Sequence, residues 1–169
     1  TFKLASMIAL LEDSKLQLHD SIDTENGSFK FFNETMRDHK KGGFGTLSIQ
    51  EAFEKSSNIG IAKLIQNHFG KKPQKFIDQL RAMGLYEPLA FQMYGEGASY
   101  IKSPKDSTWS GTSLPWMSHG YELKMTPLHT LTLFNSIANE GKMVQPIIVK
   151  YIKRADQVIQ EFEAKILKK

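Results

Sequence analysis

Two short strings in this sequence carry residue types that could do chemistry. Thr1-Phe2-Lys3 leads into an apolar stretch, and Ser56-Ser57-Asn58 stands between two segments of helical character. With 14 Ser and 6 Asn in the chain, a Ser-x-Asn string arises easily by chance, so its position says more than its letters. A short polar break between two helices projects its side chains outward from backbone held on both sides. Helix capping by Ser56 or Ser57 explains one serine and leaves the asparagine unexplained. Lys3 is either an amine placed for proton transfer or an exposed lysine at a frayed terminus.

Other groupings are weaker. Ser99-Tyr100-Ile101-Lys102 sets a lysine three residues after a serine, but in a Gly-rich stretch with no helical period. Thr1 could serve as an N-terminal nucleophile with its own amine as base. Such enzymes open on a strand, whereas Leu4 to Leu11 has helical spacing. His19, His39, His68, His119 and His129 show no metal-ligand spacing, and the absence of cysteine excludes disulfides and thiolate sites. No metal or cofactor is expected. Trp109, Trp116 and Tyr121 could line a groove for an extended peptide, or simply pack.

The elements that must position these residues read as follows. Leu4, Met7, Ile8 and Leu11 repeat at i, i+3, i+4, i+7, which predicts a helix over 3–12. From Leu16 to Met36 short extended pieces surround an Asn26-Gly27 turn. A Gly-rich loop follows at 41–45. Ser48-Ile49-Gln50-Glu51 spells a capping box, so a helix starts near Ile49 and runs to about Lys55. Helices over 58–69 and 73–83 come next, the second with Pro at its first turn and Gly84 as its stop. From Leu85 to Glu122 regularity disappears, and a loop of that length suggests a binding surface. Thr126 then caps a helix over 127–139 whose apolar side is Leu128, Leu131, Phe134, Ile137 and Ala138. Strands over 146–153 and 157–162 form a closing hairpin.

At 169 residues, 40% hydrophobic and 24% charged, the chain can bury a core of its own. No apolar run is long enough to span a bilayer, and Thr1 to Leu11 lacks the pattern of a signal peptide. The net charge of +4 is spread over lysine and arginine pairs that read as solvated surface. A basic nucleic-acid-binding domain is therefore a rival reading, opposed by the lack of interleaved aromatic and basic residues.

Taken together, the two strings resemble motifs of the penicillin-binding proteins. Thr1-Phe2-Lys3-Leu4-Ala5-Ser6 resembles their Ser-x-x-Lys motif, with the nucleophilic serine due immediately before Thr1. Ser56-Ser57-Asn58, with Ile59-Gly60-Ile61-Ala62-Lys63-Leu64 after it, resembles their Ser-x-Asn motif and the following helix. Ser118-His119-Gly120-Tyr121 and Met125-Thr126-Pro127-Leu128 resemble the next segment in class B members, above all the septal, FtsI-like type. Ser99-Tyr100-Ile101-Lys102 comes after Ser-x-Asn, which is the wrong order for that family. No Lys-Thr-Gly or Lys-Ser-Gly occurs, so residues 1–169 are expected to be part of a transpeptidase domain without its nucleophile serine or its Lys-Thr-Gly strand.

The resemblance implies an α+β fold: the helical lobe of the penicillin-binding protein and serine β-lactamase-like transpeptidase fold, with a C-terminal β-hairpin and an incomplete central sheet. It implies a parent enzyme, a D-Ala-D-Ala transpeptidase that cross-links peptidoglycan stem peptides through a serine acyl-enzyme and is acylated by β-lactams. Lys3 would be the base, Ser56 the proton relay to the departing amine and Asn58 the holder of the substrate backbone. Ser57, Trp109, Trp116 and Tyr121 are the candidate substrate contacts. The parent would be membrane-anchored upstream, work at the periplasmic face of the cytoplasmic membrane, need no cofactor or metal, and meet other cell-division proteins rather than nucleic acid. A non-catalytic β-lactam sensor or scaffold keeping the same lobe is the alternative. The chain by itself is expected to resist covalent labelling by penicillin; a stoichiometric, denaturation-resistant adduct would place the nucleophile within it.

Overall fold

The structure, a computed structural model, describes residues 2–168. By its internal contacts the chain divides into two compact units, residues 1–80 with 101–123, and residues 81–100 with 124–169.

The first unit begins with helix α1, Lys3–Asp13. Strand β1 (Ser21–Asp23) follows, then β2 (Ser28–Phe31), β3 (Glu34–Arg37) and β4 (Thr46–Ser48). β1 pairs antiparallel with β4 and β2 with β3. The Asn26-Gly27 turn exists, but it links β1 to β2; the β2–β3 hairpin reverses at Phe32-Asn33, with Phe32 in the left-handed region. Helix α2 (Ile49–Glu54) starts where the capping box predicts, Ser48 Oγ accepting from Glu51 N at 3.1 Å and Glu51 Oε2 from Ser48 N at 2.9 Å. Helix α3, Asn58–Phe69, is the centre of the unit. Its residues Ile59, Ile61, Ile65 and Phe69 are fully buried or nearly so, each worth about 1.5–3 kcal/mol in area removed from water. α1, α2, β1 and β3 pack on it.

α1 has the predicted bounds but a different inner face. Its buried residues include Ala5, Ser6, Ala9 and Leu10 beside the expected Met7, while Leu11 is exposed. The small side chains let neighbouring backbone approach closely, and size rather than hydrophobic spacing decides which face goes inward.

Helix α4 runs Pro73–Ala82 and ends ahead of Gly84, which sits at φ +75°. The long irregular stretch is less bare than the sequence suggests. It contains the two-residue strand β5 (Tyr100–Ile101), which pairs with β6 (Leu123–Lys124), and helix α5 (Ser113–Met117). α5 packs on α3 and carries Pro115 in its first turn, where no N–H is needed.

In the second unit, helix α6 (Pro127–Ala138) is capped by Thr126, as predicted. Strand β7 (Met143–Val144) pairs with β10 (Ile166–Lys168), and β8 (Tyr151–Arg154) with β9 (Gln157–Glu161). The hairpin is where the sequence places it, although its first arm begins at Tyr151 rather than Pro146. Every sheet among the described residues is two-stranded, in keeping with an α+β fold whose central sheet is incomplete.

The face of α6 is the reverse of the one expected. His129, Thr132, Leu133 and Ser136 point inward, while Leu131, Phe134 and Ile137 are about half exposed, at 55%, 43% and 47%. Thr132 Oγ1 donates to Leu128 O and Ser136 Oγ to Leu133 O, so the inward hydroxyls are satisfied within the helix itself.

Two glycines in the loop between β3 and β4 differ in what surrounds them. Gly43 lies at φ +71°, and a Cβ there would sit 2.1 Å from Gly27 N; Gly42 lies at φ +76° with nothing within 4 Å of an added Cβ. Gly42→Ala should therefore cost only the left-handed strain, about 1 kcal/mol, and Gly43→Ala more than about 2 kcal/mol. Urea unfolding of the two variants checks the difference.

Candidate functional site

The site is built in the first unit where α2 gives way to α3. α2 ends in a Schellman turn: Ser56 N donates to Phe53 O at 3.0 Å and Ser57 N to Ala52 O at 2.9 Å. Such a turn needs one residue in the left-handed region, usually glycine, and here it is Ser56 at φ +53°. The next residue, Ser57, already caps α3, its Oγ accepting from Gly60 N at 2.9 Å. One helix stops and the next starts without a linker, so the directions of Ser56 and Asn58 are fixed from both ends.

Ser56 is exposed, Ser57 fully buried and Asn58 half-buried. The Ser57 hydroxyl donates to Asp38 Oδ2 at 2.8 Å as well as accepting from Gly60, so this candidate substrate contact is enclosed in the protein. Lys3, on the first turn of α1, reaches the turn directly. Its Nζ donates to Ser56 Oγ at 2.9 Å, to Asn58 Oδ1 at 2.7 Å and to Ser56 O at 2.5 Å. The three residues singled out as chemical in the sequence thus form one cluster. Asn58 is oriented by a further bond, Nδ2 to Arg37 O at 3.0 Å, and its second amide proton has no acceptor among the described residues.

Burial draws the Lys3 amine down from its ordinary value of 10.5 to about 8, with the Asp38 carboxylate acting in the opposite direction. An amine in that range is neutral in roughly one molecule in ten at pH 7, enough to accept a proton. Beside it stands His119, whose proton affinity is lowered to about 4, first by burial and then by the charge of Lys3. Its Nδ1 lies 3.2 Å from Pro115 O, and a carbonyl can only accept, so Nδ1 carries the proton and Nε2 is left as an acceptor. His119 is consequently neutral above about pH 4, including the whole range in which Lys3 gives up its proton. The turn holding it lies against the start of α1: Gly120, at φ +110°, is close enough to Phe2 that an added Cβ would come within 3.1 Å of Phe2 Cβ. Ser6 Oγ donates to Ser118 O at 2.6 Å and makes the same connection from the helix side.

The aromatic candidates separate. Trp116 is half-buried against Phe31, Met36, Ile59 and Ala62, which makes it a packing residue in the main. Tyr121 is 63% exposed with its ring 5.3 Å from that of His119, on the side of the cluster. Trp109 is half-buried in the loop before α5, and among the described residues no hydrogen bond or ring contact joins it to Lys3, Ser56 or Asn58. Of the rival groupings, Lys102 forms an ion pair with Glu122, and no group of histidine and acidic residues among those described could hold a metal. Sequence reasoning missed Asp38 and the role of His119. Asp38 offered no signal beyond an acidic residue at the end of a strand.

The Ser56 backbone is a position glycine would occupy more easily, so its side chain is kept there against local preference. Ser56→Gly should leave stability unchanged or raise it by up to about 1 kcal/mol, whereas Ser56→Ala keeps the strain and loses the hydroxyl. Thermal unfolding of the two variants side by side checks this ordering.

The family model described as "Penicillin binding protein transpeptidase domain" matches residues 1–169. Penicillin-binding protein PbpB of Mycolicibacterium smegmatis is 29% identical over 161 residues, covering 95% of this chain and 24% of that protein. PbpB of Mycobacterium tuberculosis is 30% identical over 148 residues, 88% of this chain and 21% of that protein. The chain therefore spans less than a quarter of the length of these relatives. Among solved structures, penicillin-binding protein 3 of M. tuberculosis complexed with aztreonam superposes with a TM-score of 0.75 at 25% identity, covering 96% of this chain and 36% of that one. This chain belongs to the penicillin-binding protein transpeptidase family.

Proposed function

We propose that this chain is part of a peptidoglycan D,D-transpeptidase of the septal, FtsI-like type, supplying its base and its Ser-x-Asn turn. The observation that carries the reading is the Lys3 amine, lowered to about 8 and held within 2.9 Å of both Ser56 Oγ and Asn58 Oδ1. In this reading the nucleophilic serine precedes Thr1 in the chain, one helical turn from Lys3. Neutral Lys3 takes the serine proton as the oxygen attacks the carbonyl of the penultimate D-alanine of a stem peptide. Ser56, which accepts from Lys3 and has its own proton free, hands a proton to the departing D-alanine amine. The remaining Asn58 amide proton binds the substrate backbone. An amine on a second stem peptide then attacks the ester, returning the proton through the same groups and releasing the serine.

A β-lactam would enter the same path and stop at the ester. Tyr121 and His119 flank the cluster and are the candidates for lining the peptide groove; Trp116, Trp109 and the enclosed Ser57 act through packing. The reaction belongs outside the cytoplasmic membrane, where stem peptides are found, and cell-division proteins are the expected partners. No helix among the described residues is long and apolar enough to cross a membrane.

The test is acylation of the whole protein by labelled penicillin. Lys3→Ala should slow acylation by roughly 10²–10⁴-fold, the range for loss of a general base. Ser56→Ala and Asn58→Ala should each lower it with the fold intact. The wild-type rate should climb with pH through about 8 as Lys3 loses its proton. Normal acylation of Lys3→Ala would refute the reading.

A further inference from the structure

Behind the Ser56-Ser57-Asn58 turn lies a carboxylate with no part in the scheme above. Asp38 follows β3 and is 9% exposed. Its Oδ1 accepts from Asn58 N at 2.5 Å and from Ile59 N at 3.1 Å, and its Oδ2 accepts from Ser57 Oγ at 2.8 Å. Two of the free N–H groups at the start of α3, those of Asn58 and Ile59, thus end on one side chain, and the positive end of the helix dipole faces a negative charge. A backbone cap is already present in Ser57, so Asp38 does more than cap. It binds Ser57 and Asn58 of the turn and Ile59 just after it, and the strand before it binds the Asn58 side chain through Arg37 O.

We infer that Asp38 is a positioning residue of this site, holding the Ser56-Ser57-Asn58 turn in the geometry that meets the Lys3 amine and supplying a fixed negative charge to that amine's surroundings. The inference rests on the functional reading above for its consequence, but on separate atoms for its geometry. Among the described residues, two ionisable groups act on Lys3. Asp38 raises its proton affinity against the effect of burial, and His119, on the turn after α5, is neutral above about pH 4 and adds no charge. The neighbours of Asp38 in the chain, Arg37 and His39, are both exposed, and the His39 ring stacks edge-on against Phe44. Asp38 is itself fixed from behind, its N–H donating to Gly27 O at 3.1 Å in the loop closed by the Gly27–Gly43 approach.

Burial lowers the amine's affinity for a proton and so weakens it as a base. A carboxylate at this position offsets that, keeping the base near the working pH. The same carboxylate decides whether Ser56 and Asn58 present their side chains to Lys3 at all. One residue therefore couples the shape of the turn to the basicity of the amine.

Asp38→Asn and Asp38→Ala in the whole protein separate these roles. The asparagine oxygen can still accept from Asn58 N and Ile59 N, so the turn survives while the charge is lost. In Asp38→Asn the midpoint of the rise in penicillin acylation with pH should move to lower pH, with a matching shift in Lys3 itself followed by NMR of isotope-labelled lysine. Asp38→Ala removes all three bonds and should slow acylation on the order of 10- to 100-fold at temperatures well below unfolding. An unmoved midpoint and unmoved Lys3 titration in Asp38→Asn would overturn the inference, even if Asp38→Ala proved less stable, since a merely structural residue changes melting and not the pH profile. Lys3→Ala in the same series distinguishes the two failures. If it is acylated normally, the functional reading falls; if it is inert while Asp38→Asn keeps the parental midpoint, only the role of Asp38 falls.

Discussion

An ammonium ion taken out of water loses hydration worth several kcal/mol unless its protons find acceptors, and the first unit is organised around that demand. Lys3 is 9% exposed and spends all three protons on one turn, on Ser56 O, Ser56 Oγ and Asn58 Oδ1. The bond crosses more than fifty residues of sequence, from the start of α1 to the α2–α3 junction. It is also incomplete compensation, since burial still outweighs the help from Asp38 and the amine settles near 8. A fully answered charge would be an inert structural ion pair. An unanswered one would be neutral and too weak a base. The fold leaves this amine between those limits, which is where proton transfer at ordinary pH is efficient.

That balance depends on how little freedom the turn has. The end of α2 and the beginning of α3 share Ser57: as the residue after the left-handed position it closes one helix, and as N-cap it opens the next. Consecutive side chains in such a junction must alternate between outward and inward. Ser56 faces out to solvent, Ser57 inward to Asp38, and Asn58 is half out with its amide pinned to Arg37 O and Lys3. The spacing of the motif, two chemical residues separated by one, follows from this alternation. The middle residue belongs to the scaffold.

Much of this was legible in the sequence. Capping boxes, Pro at first turns and the break at Ser56-Ser57-Asn58 are local signals, and the helices they mark appear within a residue or two of the expected bounds. The Lys3 cluster was legible only through the motifs, because nothing in a local window says that residues 3 and 56 will meet. Asp38 was not legible at all: its partners are backbone N–H groups twenty residues away, and backbone donors have no letter. α5 escaped notice because five residues around a proline are too few to show a period.

α6 marks a different boundary of sequence reasoning. Periodicity states which residues share a face, and it did so correctly for Leu131 and Phe134; which face turns inward is decided by what packs there. In the second unit the inward face carries His129, whose ring nitrogens lie 2.7 Å from Thr126 Oγ1, 3.1 Å from Glu87 O and 3.2 Å from Ser99 Oγ. A side chain with that many polar neighbours anchors the helix in one rotation, and the threonine and serine one and two turns on can follow it inward because each bonds back to its own helix. The apolar stripe then goes outward by default, and its first residues, Leu128 and Leu131, line an open hollow of about 530 Å³ with Phe91, Met93 and Tyr94. Polar residues with short side chains can thus set the orientation of a helix against its hydrophobic period, provided every hydroxyl and ring nitrogen has somewhere to bond.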